Sequence, residues 1–303
     1  MIGVVGEILV DMIGQNHSGK TAYTRYAGGA PFNLACAAKK LGADVVFSGV
    51  VGKDIMGEFL LESLKKEDLD PAYTRVEEES NTTLAFVSHS ENGERSFCFY
   101  RKRTADDAFI RPLPLIFQKA NILHFGTLML SSSKGREFIK LEAKEAKKRG
   151  QMISMDVNYR EDIFHSQEEA LNIYHNILPL ADILKFSEDE VKLFGEDYVA
   201  SFPQKIVLIT LGAKGSKLLY GGNSYFAPSL KIEPLDTTGA GDAFFGAFLS
   251  QIDGKKITNL TQKEIERILR FSNVVASLNT MKFGAIDGLP SLEEVERKIE
   301  EIQ

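Results

Sequence analysis

Short apolar runs alternate with amphipathic stretches along almost the whole chain, and this rhythm limits the fold more than any other feature of the sequence. The runs at 2–11, 45–51, 121–125, 153–157, 183–186 and 206–211 are rich in Val, Ile, Leu and Phe and have the length of strands. Between them lie helical patterns with readable ends. Pro31 opens one that Gly42 closes, with proline in the first turn and glycine past the last. Asp54 stands as N-cap of a second that runs to about residue 66, and a charged third near 134–149 stops at Gly150. This alternation predicts an α/β fold with a largely parallel central sheet, helices on both faces and right-handed crossovers.

Two stretches depart from the rhythm. Residues 20–28 and 82–101 alternate polar and apolar side chains with no helical period, and Glu91-Asn92-Gly93 offers a hairpin turn in the second. They predict a small antiparallel sheet, formed from about 12–29 and 80–104 and inserted in a single domain of 1–303. Such a sheet is either a lid over a site or a structural edge. The remaining composition narrows the partners. With 303 residues, 44% hydrophobic and 26% charged, the chain can bury its own core and is neither disordered nor fibrous. The net charge is −6, and Arg101-Lys102-Arg103 is the tightest basic cluster, too small for a nucleic-acid footprint. Cys36 and Cys98 lie among apolar neighbours and read as buried, reduced thiols. No positive n-region precedes the first apolar run, and no run is long enough to span a membrane. A cytoplasmic protein without membrane or nucleic-acid partners is expected.

Chemistry concentrates in Asp236-Thr237-Thr238-Gly239-Ala240-Gly241-Asp242, which runs directly into the apolar Ala243-Phe244-Phe245-Gly246-Ala247-Phe248-Leu249. A loop of small residues therefore opens into a buried helix. The first N–H groups of a helix lack intrahelical partners and carry the positive end of its dipole. Gly239 and Gly241 remove the side chains that would keep a phosphate away from them. Asp242, inside this positive pocket, is expected to be a carboxylate able to take a proton from a hydroxyl.

With that string in place, the chain resembles the ribokinase-like carbohydrate kinases, the PfkB family, over nearly its whole length. Asp236–Asp242 is similar to the family's C-terminal signature, and the resemblance implies that Asp242 is the catalytic base and Gly239-Ala240-Gly241 the anion hole. Gly28-Gly29-Ala30-Pro31 with Asn33, followed by Gly49, Gly52, Asp54 and Gly57, is similar to the N-terminal signature. Thr210-Leu211-Gly212-Ala213-Lys214-Gly215 resembles the nucleotide loop, and Asn273 matches the position beside the adenine. The implied sugar ligands are Asp11, Gly28, Gly29 and Asn33. Taken alone, Asp11 also reads as a strand-end turn residue and Gly28-Gly29 as a tight turn. Arg101 and Arg160 lie in segments similar to the fructokinase and 2-keto-3-deoxygluconate kinase branches, where Arg101 would reach over the sugar and Arg160 face the phosphate.

Lys185 and Ser187, implied to contact the nucleotide, fall in a segment similar to the family's Asn-x-x-Glu motif, with Ser187 replacing the asparagine and Glu190 implied to organise Mg²⁺ through water. The acids Glu188, Asp189 and Glu190 also suit a plain helix N-terminus. The resemblance further implies K⁺ beneath the anion hole, held by Asp236, Thr238 and carbonyls near Gly284 and Gly288. Gly14, Gly19, Lys20 and Thr21 match the P-loop pattern, but residues 22–27 alternate instead of opening a helix. The reading is an ATP- and Mg²⁺-dependent kinase acting on a primary hydroxyl of a sugar, with fructose first and 2-keto-3-deoxygluconate second. A homodimer through the small sheet is expected. A silent sugar or nucleotide sensor is disfavoured by the intact Asp242, and a dinucleotide dehydrogenase by the missing glycine fingerprint.

Overall fold

From its first residues the chain builds two different sheets. The computed structural model describes residues 1–17, 20–89, 95–108 and 112–302. Strands β1 (Ile2–Val5), β2 (Leu9–His17) and β3 (Lys20–Gly28) lead into α1 (Ala30–Lys40). Next come β4 (Val45–Ser48), β5 (Val50–Gly52), α2 (Ile55–Lys66) and β6 (Arg75–Glu77), then β7 (Leu84–His89) and β8 (Arg95–Tyr100). The second half alternates β9 (Ile122–Phe125), α3 (Ser133–Lys148), β10 (Met152–Asp156), α4 (Gln167–Ile177), β11 (Ile183–Ser187), α5 (Glu188–Phe194), α6 (Glu196–Ala200) and β12 (Ile206–Thr210). The hairpin β13 (Ser216–Tyr220) and β14 (Asn223–Ala227) precedes α7 (Ala240–Ile252), α8 (Gln262–Asn279) and α9 (Leu292–Glu301).

The large sheet has the order β14-β13-β12-β11-β10-β9-β1-β4. It is parallel from β4 to β12, and only the last hairpin runs antiparallel. Its strands are buried on both sides, as the near-continuous apolar runs require. Ile2, Val4, Ile183 and Leu208 pack toward α1, α7 and α8, whereas Val5, Leu123, Leu184 and Val207 pack toward α3, α4 and α5. Helix α7 is deeply buried: Phe244, Phe245 and Phe248 are each at most 2% exposed. Burial of this kind contributes roughly 1.5–3 kcal/mol per side chain, so the N-terminus of α7 is held on a rigid base.

Three expectations change in the structure. The run 2–11 is not one strand: the chain leaves the large sheet after Val5 and enters the small sheet at Leu9. Gly6, packed against Pro31, makes the crossing. Asp11 therefore lies within β2, opposite Tyr26 and Ala85, and not at the end of a main-sheet strand. The run 45–51 also divides, with β4 in the large sheet and β5 paired to β6. Cys36 is buried, but Cys98 is exposed, because it stands opposite Phe86 on the outer face of the small sheet.

The small sheet has the order β3-β2-β7-β8, and it is mixed: β2 and β7 are parallel, the outer pairs antiparallel. Its outer face carries Tyr23, Phe86 and Tyr100 in edge-to-face contact, with ring centroids 5.1 Å apart in both pairs. The turn expected at Glu91-Asn92-Gly93 lies outside the described residues, as does Gly19 of the P-loop look-alike. Lys20 and Thr21 are exposed strand residues of β3, with no helix after them. Asp54 caps α2 as expected, accepting from Met56 and Gly57 N–H, and its second oxygen accepts from Thr82 N–H at 2.7 Å. Among the described residues no helix is long and apolar enough to cross a membrane.

Candidate active site

Helix α7 starts without a side-chain cap. Its N-cap is Gly239 at φ +73°, where a Cβ would fall 2.5 Å from Ala285 Cβ, so both the backbone angle and the space demand glycine. The first intrahelical bond reaches Gly239 carbonyl from Ala243 N–H at 2.8 Å. The N–H groups before it are free of the helix ladder and form an anion-attracting turn. Asp242 is the third residue of the helix, and its Oδ2 accepts from Asn33 Nδ2 at 2.9 Å. Burial raises its pKa, while the Asn33 bond and the charges of Lys185 and Arg160 oppose the rise.

Two cavities meet at this turn. One, of about 370 Å³, is polar, and its lining includes Glu7, Asp11, Asn33, Asp156, Arg160 and Lys185 together with Gly239, Gly241 and Asp242. Burial and the Asp242 charge push Asp11 up to about 7 against the pull of Arg160. Gly28 leaves room for the Asp11 carboxylate, and Gly29, at φ +108°, lets the chain pass 2.5 Å from Glu7 carbonyl where a Cβ would stand. Lys185 Nζ bonds both oxygens of Asp156, at 2.9 and 2.8 Å, and lies beside Gly241. Burial alone would lower the Lys185 pKa, but Asp156 and Glu190 hold it above its usual value.

The other cavity, of about 250 Å³, is mainly apolar; Leu230, Ile232, Pro234, Phe244 and Ala276 contribute to its walls. Thr210, Gly212, Gly215 and Asn273 line it as well. Asn273 Nδ2 donates to the carbonyls of Ala227 and Pro228, at 2.9 and 3.2 Å, so its amide also fixes the wall after β14. Thr237 and Gly241 belong to the linings of both cavities. A planar apolar group thus has one chamber, a polyhydroxyl compound the other, and the helix N-terminus lies between them.

Most residues singled out in the sequence converge here; some do not. Lys185, expected with the nucleotide, lines the polar cavity. Ser187 and Glu190 line neither cavity. They form a capping box on α5, and Glu190 accepts from Ser187 N–H and Tyr159 N–H, both at 2.7 Å. Asp236 Oδ1 accepts from Thr238 N–H and Oγ1–H, and Oδ2 accepts from Gly284 N–H at 2.9 Å, tying the turn to the 284 loop. Arg101 is the clearest departure. It is absent from the cavity lining because Asp106, 1% exposed, and Ser131 hold its guanidinium. Sequence reasoning missed Glu7, Asp156 and Asn158. The one signal for Glu7 was a charge inside an apolar run. Among the described residues no group of three His, Cys, Asp or Glu side chains is placed to hold a metal.

Residues 1–292 match the family model described as pfkB family carbohydrate kinase. The chain is similar to fructokinase-1 of Oryza sativa subsp. japonica, 34% identical over 311 residues that cover 97% of this chain and 96% of the relative. It is also similar to a solved fructokinase with bound ATP from Xylella fastidiosa, with a TM-score of 0.91, 28% identity, and 99% and 98% of the two chains covered. A fructokinase double mutant from Vibrio cholerae O395, in its fructose, ADP and potassium ion bound form, matches with a TM-score of 0.88, 29% identity, and 98% and 97% coverage.

Proposed function

This chain belongs to the pfkB family of carbohydrate kinases, and from that premise we propose that it transfers the γ-phosphoryl group of ATP to a primary hydroxyl of fructose. The observation that carries the reading is the pair of cavities sharing Thr237 and Gly241 at the open N-terminus of α7, with Asp242 on the polar side. Nucleotide in the apolar chamber and sugar in the polar one place the reacting phosphoryl group against the free N–H groups.

Phosphoryl transfer has a loose transition state, so positioning and charge neutralisation dominate. Asp242 takes the proton of the attacking hydroxyl as its oxygen bonds the γ-phosphorus. The bond from that phosphorus to the β–γ bridging oxygen breaks, and ADP leaves. Gly239, Ala240 and Gly241 N–H groups face the equatorial oxygens, and Lys185 and Arg160 offset their charge. Asp11 and Asn33 orient the sugar, while Thr210, Gly212, Gly215 and Asn273 shape the nucleotide chamber. Mg²⁺ bound with the nucleotide would neutralise phosphate charge, and Glu190, each of whose oxygens accepts one N–H and retains a lone pair, would hold an ordered water for it. K⁺ would be held by Asp236, Thr238 and carbonyls near Gly284 and Gly288; the Asp236 carboxylate already ties Thr238 to the 284 loop.

Fructose is favoured over ketodeoxygluconate by charge. Of the carboxyl groups lining the polar cavity, Glu7 keeps its proton at neutral pH, and Asp11, Asp156 and Asp242 face the two cations Arg160 and Lys185. Lys185 pairs with Asp156 and the charge of Arg160 acts on Asp11 and Asp242, which leaves no surplus cation among the described residues of the lining for the carboxylate of a sugar acid. The exposed aromatic face of Tyr23 and Tyr100, 46% and 62% exposed, is the surface proposed to meet a second copy of this chain, a contact that sedimentation velocity measures.

ADP release over a panel of fructose, ribose, ketodeoxygluconate, nucleosides and fructose phosphates tests the acceptor. Fructose should have the highest kcat/KM. A higher kcat/KM for ketodeoxygluconate than for fructose would replace fructose with the sugar acid.

A further inference from the structure

The chain crosses from the large sheet to the small one through Gly6, Glu7 and Ile8, and the middle residue of that bridge is an acid among apolar neighbours. Glu7 is 4% exposed and lines the polar cavity with Asp11, Asn33 and Asp242. Its Oε2 is buried without a hydrogen-bond partner and packs against Gly126, where a Cβ would fall 2.5 Å away. The cation whose charge it feels is Arg101, which is committed to Asp106 and Ser131.

A buried carboxyl oxygen with nothing to bond is a standing penalty for the fold, which Arg101 and the Glu7 backbone N–H offset only in part. A second atom of the same cavity shares this condition. Asn33 Oδ1 is also buried and unpartnered, because only Nδ2 of that side chain is engaged, on Asp242. Two residues that line one cavity, each with a side-chain oxygen left unpartnered, call for a ligand whose groups both donate and accept. Hydroxyl groups do so.

We propose that Glu7 is a specificity-determining residue of the acceptor pocket, its carboxyl group exchanging a hydrogen bond with one particular hydroxyl of the sugar. The inference rests on the sugar-kinase reading above. Burial outweighs the Glu7 backbone N–H and Arg101 and, with Asp106 and Asp242 adding to it, pushes the carboxyl up to about 8. The group therefore keeps its proton at neutral pH and can donate as well as accept.

The test compares wild type, Glu7→Gln and Glu7→Met on fructose, on its single-deoxy analogues, and on anhydromannitol, which lacks the anomeric hydroxyl. Glu7→Met should lower kcat/KM for fructose by roughly 10- to 100-fold, the range for a lost buried hydrogen bond, while KM for ATP stays within about twofold. On the one analogue lacking the hydroxyl that Glu7 reads, the gap between variant and wild type should close. An equal loss on fructose and on every analogue would make Glu7 a structural residue and overturn the proposal. So would no loss at all.

Glu7→Gln keeps shape and hydrogen-bonding capacity and guards against misfolding of the methionine variant. Wild-type kcat/KM for the sugar should change through about pH 8, where Glu7 ionises, and Glu7→Gln should lack that change. The lower limbs expected of Asp11 and Asp242 remain in both proteins, and a change near pH 8 that persists in Glu7→Gln overturns the proposal. A wild type that phosphorylates no sugar would instead refute the kinase reading itself.

Discussion

Replacing Asp242 by Asn should lower kcat by roughly 10²- to 10⁴-fold, the usual range for loss of a general base. KM for ATP should stay within about twofold, since the apolar cavity does not include Asp242. The amide keeps the size of the carboxylate, and its oxygen can still accept from Asn33, so the start of α7 is preserved. The pH profile adds a second signature. Burial raises the Asp242 pKa despite Asn33, Lys185 and Arg160, and only the ionised form accepts a proton. Wild-type activity should therefore climb with pH on the acid side, and the residual activity of Asp242→Asn should lose that limb. A variant with near-wild-type kcat would remove Asp242 from the chemistry.

The second large effect is expected at Asp11. Asp11→Ala should reduce kcat/KM for the sugar by at least roughly 10²-fold, because a site built to bond hydroxyl groups leaves its partners unpaired when one side is removed. KM for ATP should again be unmoved. With its carboxyl at about 7, Asp11 becomes a full acceptor only above neutrality, so sugar kcat/KM should rise through that range in wild type and not in Asp11→Ala. Stability should move the other way. The folded state holds this proton more tightly than the unfolded chain, so between about pH 4 and 7 it binds more protons and folding stability falls as pH rises. Asp11→Ala lacks that group and should melt at a higher temperature than wild type at pH 8. Equal loss of sugar and nucleotide affinity would place Asp11 in the scaffold.

The parts of the site that could be read in the sequence are those set by local chain geometry. Asp236–Asp242 announces itself because small residues, two glycines and an aspartate precede a wholly apolar helix, and each feature acts within one or two turns. Asp54 and its helix were legible for the same reason. What escaped depends on contacts between distant segments. Gly6, Glu7 and Ile8 continue an apolar run, so nothing local marks where β1 ends and β2 joins another sheet; packing of Gly6 against Pro31 decides it. Arg101 looked free to reach the sugar because Asp106, which captures it, sits in an irregular stretch without a pattern. Ser187 and Glu190 complete a helix cap, and in sequence a capping acid and one that also holds an ordered water look the same. The Asn273 amide, which secures the strand end at Ala227, is visible only once α8 packs on β14.

The central claim is that the turn between the two cavities moves a phosphoryl group from nucleotide to sugar. The direct measurement follows ATP carrying heavy oxygen in its γ-phosphoryl group, in a single turnover with fructose, by phosphorus NMR and mass spectrometry of the products. The expected result is one fructose monophosphate, esterified at a primary hydroxyl and carrying the transferred label, with ADP in equal amount and little labelled inorganic phosphate. Label recovered as inorganic phosphate, or fructose returned unmodified while ADP accumulates, would contradict it.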